Sequence, residues 1–273
     1  MTITIKMTIL MKIMTYNILE GGTGRIDPLA EVIRLAEADV VLVQETLGDA
    51  EGEKAFHKLA DRLGMDRFLA ENPRAGEGVG LLSRLAVKEV VNHAAMDKRF
   101  SRGCLHAIVS EKQEASSRKQ EDMVVIGVQL PAGELIEDEE KRLAELEALF
   151  DVAKLFRGRE HVIAGDFNAS HPSQKIELAK VRAKTRERVL SQGGVFPREV
   201  VRQMLEHGYA DAHALHHGAS EFGTSFTTAQ PGMRVDYVFV TAGLMPRVKR
   251  CEVFKPEMGR FASDHYPVVA ELG

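Results

Sequence analysis

Near the middle of the chain, Val162-Ile163-Ala164-Gly165-Asp166-Phe167-Asn168 is an apolar stretch that halts at a glycine and then offers a carboxylate and an amide two residues apart. Side chains alternate faces along an extended strand, so Asp166 and Asn168 project together from its end. Asp and Asn also close strands as plain Asx turns, and this run alone supports either a turn or a site. Ser263-Asp264-His265, just before the strand-like Tyr266-Pro267-Val268-Val269-Ala270, sets an acid and an imidazole at a second strand end. Three more apolar runs are marked in the same way: Ile13-Met14-Thr15-Tyr16 leads to Asn17, Val40-Val41-Leu42-Val43 delivers Gln44 and Glu45, and Arg234-Val235-Asp236-Tyr237 opens Val238 to Val240. Carboxylates, amides and an imidazole gathered on one rim could hold a divalent cation through oxygen and stabilise a phosphate as its ester bond breaks.

In their order along the chain, these five places resemble the endonuclease/exonuclease/phosphatase superfamily, whose members include deoxyribonuclease I, abasic-site endonucleases, inositol-polyphosphate 5-phosphatases and sphingomyelinases. Gly80-Leu81-Leu82-Ser83-Arg84, Arg102-Gly103 and Asp211-Ala212 resemble weaker landmarks of the same family. The resemblance runs nearly end to end. It implies an α/β (α+β) fold, a four-layer sandwich of two packed mixed β-sheets flanked by helices, and hydrolysis of a phosphodiester or phosphomonoester with Mg²⁺ or Mn²⁺. Of the site residues, it implies Glu45 and Asp264 as metal ligands, with Asn17 in the metal's outer shell or on the phosphate. Asp166 would orient or deprotonate the attacking water, Asn168 and His265 would hold non-bridging oxygens, Asp236 would bond His265, and Arg102 would bind substrate.

One position departs from the family. Many members end a strand in His-Leu where this chain has Gln129-Leu130, with Arg142 downstream supporting the correspondence. Glutamine donates to a phosphate oxygen but exchanges no proton near neutral pH. Loss of a general acid there would cost roughly 10²- to 10⁴-fold in rate. A second function class follows: a metal- and phosphate-binding module that has lost turnover through Gln129. Against it stand Glu45, Asp166, Asn168, Asp236, Asp264 and His265, a set that a degenerate site has little physical reason to keep. His106 is either a substitute proton donor or a satisfied strand histidine, and the second is the commoner outcome. His213, His216 and His217 have no cysteine pair near them, so they read as a polar loop rather than zinc ligands.

The elements that must position these residues alternate strand and helix. Leu29, Val32, Ile33 and Ala36 fall at helical spacing after Asp27, a candidate cap, and Pro28, which suits a first turn. Glu51 to Leu63 repeats the pattern and Gly64 is a plausible stop. Arg67 to Ser110 reads as short antiparallel strands, Glu111 to Asp122 as a solvated hairpin tip, and Met123 to Leu130 as a strand. Glu137 to Phe156 is helical with Leu143, Leu146, Leu149 and Phe150 facing inward. Gln174 to Leu190 is helix-like and basic, within an insertion at about 171–195; it is either a solvated face or a positive lid beside an anionic substrate. Pro197 to His207 is a core-facing helix, and strands close the chain around Phe226, Asp236, Val253 and Val268.

At 273 residues the chain suits one domain spanning 1–273, because the proposed site residues run from Asn17 to His265. A formal net charge of −4 does not favour a general nucleic-acid binder, and the absence of tryptophan weighs mildly against a duplex-DNA nuclease. A phosphorylated small molecule, a nucleotide and a nucleic acid all remain open as substrates. The methionine-rich start, interrupted by Lys6 and Lys12, lacks a signal-peptide pattern and reads as a strand, with Met7 or Met11 as alternative start sites. No stretch approaches the roughly 20 apolar residues of a membrane span. Cys104 and Cys251, flanked by strand-like residues, read as buried thiols in a reducing compartment. The expectation is a cytoplasmic monomer.

Overall fold

Period-two patterning builds the sheets. In the strand Met11–Asn17, Ile13 turns toward a facing sheet while Met14 and Tyr16 turn outward to helices. The same alternation separates Leu42 from Val41 and Val43 in the strand Val40–Leu47, and Val125 from Val124 and Ile126 in Met123–Gln129. The computed structural model describes residues 10–47, 49–110, 122–218 and 221–273.

Among the described residues, twelve strands form two mixed sheets of six. The first runs in the order Val248–Val253, Val268–Leu272, Met11–Asn17, Val40–Leu47, Glu77–Ser83, Asp66–Asn72. The second runs Ala86–Asn92, Gly103–Ser110, Met123–Gln129, His161–Asp166, Asp236–Val240, Ala210–Asp211. Between the sheets lies a core that includes Ile13, Leu42, Leu105, Val125, Val162 and Val238. Helices Ile26–Ala36 and Ala50–Leu63 cover the outer face of the first sheet through Leu29, Ile33, Phe56 and Leu59. Helices Ile136–Lys154 and Glu199–Glu206 cover the second through Leu146, Leu149, Val200 and Met204. The expected four-layer sandwich is therefore the observed one.

Each sheet has a parallel pair at its centre with an antiparallel strand beside it. Met11–Asn17 runs parallel to Val40–Leu47 with Asn17 level with Gln44, and antiparallel to Val268–Leu272. Met123–Gln129 runs parallel to His161–Asp166 with Gln129 level with Asp166, and Asp236 lies opposite Asp166 on the antiparallel neighbour. Parallel strands thus end where their antiparallel neighbours begin, and every marked strand end falls on one rim. Gly165 makes the second pair fit: a Cβ there would lie 1.9 Å from the Val128 carbonyl oxygen.

Several local expectations are corrected. Asp27 sits inside the first turn of its helix, after Arg25 at the N-cap, and pairs with Arg62 across the surface. Residues 174–190 are not one helix: a short 3₁₀ turn, Leu178–Lys180, precedes the helix Ala183–Ser191. Residues around Phe226 form isolated bridges to Met233 and His265, without a strand ladder. The three-histidine stretch is the short helix Ala212–His217, not a loop. Gly64 closes its helix in the left-handed conformation, as its sequence position implied. Both cysteines are buried and unpaired. The chain before Leu10 and most of the Glu111 to Asp122 stretch lie outside the described residues. No helix among the described residues is long and apolar enough to cross a membrane.

Candidate active site

A cleft of about 180 Å³ opens on the shared rim, lined by Glu45, Asp166, Asn168, Asp264 and His265 among others. Asn17 joins the two sheets beneath it. Its amide nitrogen donates to Glu45 Oε1 at 2.9 Å and to Asp166 Oδ2 at 3.1 Å, and its amide oxygen accepts from the Leu19 N–H at 3.0 Å. Its own carbonyl accepts from Ser263 Oγ at 2.7 Å, which ties down the turn that presents Asp264 and His265. Ser263 Oγ also accepts from the His265 N–H at 3.2 Å, and Thr228 N–H donates to the Asp264 carbonyl at 2.8 Å.

Glu45 leaves its strand at a bulge between Gln44 and Thr46 with a left-handed φ of 58°. That conformation is costly for a residue with a Cβ, by roughly 1–3 kcal/mol, and persists only where the surroundings hold it. Here Gln129 holds it. Gln129 Oε1 accepts the Glu45 N–H at 3.2 Å and Nε2 approaches Glu45 Oε1 at 3.4 Å, while the Glu20 N–H donates to Glu45 Oε2 at 3.1 Å. Gln129 is 1 % exposed and lies below the cleft rather than in its wall.

Asn168 also has a left-handed backbone, φ 47°, which Asn tolerates better than most residues. Its amide nitrogen donates to the Leu130 carbonyl at 3.0 Å and to Asp166 Oδ2 at 3.1 Å, and its N–H donates to Asp166 Oδ1 at 2.9 Å. The Asx turn foreseen for this run is therefore formed, and it presents Asp166 and Asn168 to the cleft. Burial, and then the neighbouring Asp236 charge, push the Asp166 carboxyl up to about 7, against the opposing pull of His265. Burial would lower the imidazole of His265, but Asp236, whose Oδ2 lies 2.9 Å from Nδ1, overrides it and raises the group to about 10. Asp236 thus favours the protonated form of His265. Burial also raises Asp264, and the charge of Glu45 adds to that.

One oxygen each of Asp236 and Asp264 is buried without a hydrogen-bond partner. Atoms of Asp166, Asp236 and His265 lie within 4.8 Å of one another, close enough to be ligands of one ion. The Nδ1 of His265 is, however, already engaged by Asp236. Glu45 and the orphaned oxygen of Asp264 form the better oxygen donor set at the cleft, and all-oxygen donors suit Mg²⁺ or Mn²⁺.

Other candidates fall elsewhere. Arg102 pairs with Glu77 at the rim and is not among the cleft-lining residues. His106 is buried, bonded to His93 at 2.7 Å and facing Glu89 at 3.1 Å, a satisfied strand histidine. His213 is buried beside the Arg234–Asp211 ion pair. Sequence reasoning did not single out Glu134, Phe226, Met233 or Arg182, all of which line the cleft. The dense hydroxyls of Thr224-Ser225-Phe226-Thr227-Thr228 were the available signal. Ser225 Oγ accepts from the Val235 N–H at 3.1 Å, and Thr228 Oγ1 donates to the Ser263 carbonyl at 2.8 Å.

The sequence matches the endonuclease/exonuclease/phosphatase family over residues 14–265, and the chain belongs to that family. Among solved structures it is similar to an AP endonuclease from Archaeoglobus fulgidus, at 20% identity and a TM-score of 0.69, covering 96% of this chain and 99% of the other. A 3′ phosphatase from Neisseria bound to a product DNA hairpin is similar at 20% identity and a TM-score of 0.70, with the same coverage. So is a 3′-5′ exonuclease from Neisseria meningitidis, at 20% identity and a TM-score of 0.70, again covering 96% and 99%. These likenesses concern the fold. No curated protein sequence is similar enough to count as a match.

Proposed function

We propose that this chain is a divalent-metal-dependent phosphoesterase in which water displaces the alcohol of a phosphate ester. The observation that carries the proposal is the convergence on one cleft of Glu45 and Asp264, of Asp166 poised near neutrality, and of a His265 imidazolium backed by Asp236. Glu45 and Asp264 would hold the cation, with Asn17 keeping Glu45 and Asp166 in register. Mg²⁺ or Mn²⁺, when bound, supplies Lewis-acid polarisation of the phosphoryl group and charge neutralisation at the leaving oxygen.

Asp166 then accepts the proton of the attacking water, a role that its pKa near 7 suits. His265 donates to a non-bridging oxygen and stabilises charge as it grows. Asn168, whose amide nitrogen is spent on Leu130 and Asp166, acts by orienting Asp166 and not as a direct phosphate ligand. Gln129 acts through Glu45, which removes the main reason for reading the site as impaired.

Relatives in fold are named an AP endonuclease, a 3′ phosphatase bound to a product DNA hairpin and a 3′-5′ exonuclease, and these names share phosphate-ester chemistry. Two buried free thiols support action in a reducing cytoplasm, and we take the working unit to be a monomer. The test is hydrolysis of bis-p-nitrophenyl phosphate and p-nitrophenyl phosphate with Mg²⁺ or Mn²⁺, beside Asp166→Ala. Turnover that requires metal and vanishes in the variant supports the proposal; turnover equal in both proteins refutes it.

A further inference from the structure

The basic insertion brings one cation to the cleft. Of the six basic residues between Lys175 and Arg188, only Arg182 lines the cleft. Lys180 pairs with Glu177, and Arg188 is drawn to Glu134 at 3.1 Å. Arg182 is held in place from two sides. Its guanidinium carbon lies 4.7 Å from the centre of the Phe226 ring, and that ring lies 4.7 Å from His265. Its Nε donates to Thr185 Oγ1 at 3.1 Å, and Thr185 Oγ1 donates to Glu134 Oε1 at 2.5 Å.

Glu134 is the anchor. It is 8 % exposed, and although burial would raise its carboxyl, bonds from Thr185 and Arg188 hold it below the usual range. Its carbonyl accepts from Gln192 Nε2 at 2.6 Å, so the insertion is pinned to the loop after Gln129 at both ends of the helix Ala183–Ser191. Arg182 Nη2 lies 3.5 Å from Glu134 Oε1, and Nη1 has no hydrogen bond among the described residues. Glu134 has its closer cation in Arg188, and Arg182 lines the cleft with its Nε held by Thr185.

Resting on the phosphoesterase reading above, we infer that Arg182 is a specificity-determining residue that receives a phosphomonoester dianion, making terminal phosphates the preferred substrates. The cleft of about 180 Å³ is smaller than the 300–1,000 Å³ typical of small-molecule sites. It accommodates a phosphoryl group, whose alcohol substituent lies outside it. Charge points the same way. The carboxylates of Glu45, Glu134, Asp166, Asp236 and Asp264 outnumber the positive charges of His265, of Arg188 on Glu134 and of a bound dication by one, a poor receptor for a dianion. Arg182 restores the balance, and a planar guanidinium offers paired donors that match two phosphate oxygens.

The test compares the wild type with Arg182→Ala and Arg182→Lys on p-nitrophenyl phosphate and bis-p-nitrophenyl phosphate, with Asp166→Ala as the control. Losing a charge-assisted bond predicts a fall in kcat/KM of roughly 10- to 100-fold on the monoester. Diester turnover should stay within about threefold, as for an ordinary surface change, and Arg182→Lys should fall between. Equal losses on both esters, or an unchanged monoester rate, overturn the inference. A 3′-phosphorylated oligonucleotide and a nucleoside monophosphate, assayed in parallel, separate a nucleic-acid end from a small molecule as the source of the dianion. If neither nitrophenyl ester turns over in an Asp166-dependent way, the phosphoesterase reading has failed, and calorimetry of inorganic phosphate with Mg²⁺ decides Arg182 separately. Weaker binding by Arg182→Ala upholds the anion site, and equal binding removes it.

Discussion

Replacing Gln129 by histidine separates two accounts of the same residue. If the position has lost a leaving-group acid, the substitution should raise the rate, by up to roughly 10²- to 10⁴-fold. The geometry predicts a loss. Gln129 gives Glu45 an acceptor for its N–H at 3.2 Å and a donor toward its carboxylate at 3.4 Å, from two atoms on one carbon of a planar amide. The two nitrogens of an imidazole point away from each other and cannot serve both groups of one residue. A buried N–H left without a partner costs about 1–3 kcal/mol, and here it belongs to a residue held at φ 58°. Part of that cost appears as lower stability, about 2–4 °C in Tm per kcal/mol for a chain near this size. The rest frees Glu45 to move, and losing a support behind a metal ligand typically weakens metal affinity 10- to 100-fold. Mn²⁺ titration followed by electron paramagnetic resonance, with kcat/KM at limiting and saturating metal, reads both effects. Gln129→His should bind Mn²⁺ roughly tenfold or more weakly and recover much of its rate at saturating metal. A gain in rate with unchanged Mn²⁺ affinity would sink this account and revive the impaired-site alternative.

Three further outcomes follow. Asp236→Asn removes the largest charge that raises His265, leaving burial opposed only by Asp166 and Asp264, so the group should titrate well below its wild-type value of about 10. The alkaline limb of the variant's pH–activity profile should then move to lower pH than that of the wild type; an unshifted His265 titration by NMR refutes this. Gly165→Ala forces a Cβ to 1.9 Å from the Val128 carbonyl and should cost about 3 kcal/mol or more, read as a lowered denaturation midpoint with weakened metal binding. An unchanged midpoint would show that the strand pair can part freely. Burial lowers His93 to about 4 and His213 to about 3, so the unfolded chain binds protons that the folded one refuses as pH drops below about 6.5. Each group should remove up to about 1.4 kcal/mol of stability per pH unit from there toward its folded pKa, offset in the same range by Asp166 and Glu145, which burial raises to about 7; an NMR titration of His93 or His213 near 6.5 in the folded protein would contradict it.

Local pattern determined much by itself. Alternating apolar residues specified which segments are strands, and an acid, amide or imidazole at each apolar terminus marked Asn17, Glu45, Asp166, Asp236, Asp264 and His265, all of which the fold gathers around one cleft. These are properties of neighbours in the chain, and a strand's period of two writes them into a few residues. The same local signals failed where geometry departs from the regular period. Asp27 looked like a cap because Asp before Pro often is one, and the basic run 174–190 looked like one helix because charge spacing does not show where a turn breaks.

Tertiary structure decided the rest. Asn17 and Asp166 are 149 residues apart and on different sheets, and the bond between them depends on how the two sheets stack. Gln129 reads as a missing histidine in sequence and becomes the support of Glu45 only because a bulge in the other sheet brings that residue over it. Arg182 is one base among six until the buried carboxylate of Glu134 pins the insertion and Phe226 stacks beneath its guanidinium. A charge's sign is legible from sequence, but its neighbours are not, because burial, pairing and pKa depend on contacts between residues far apart in the chain.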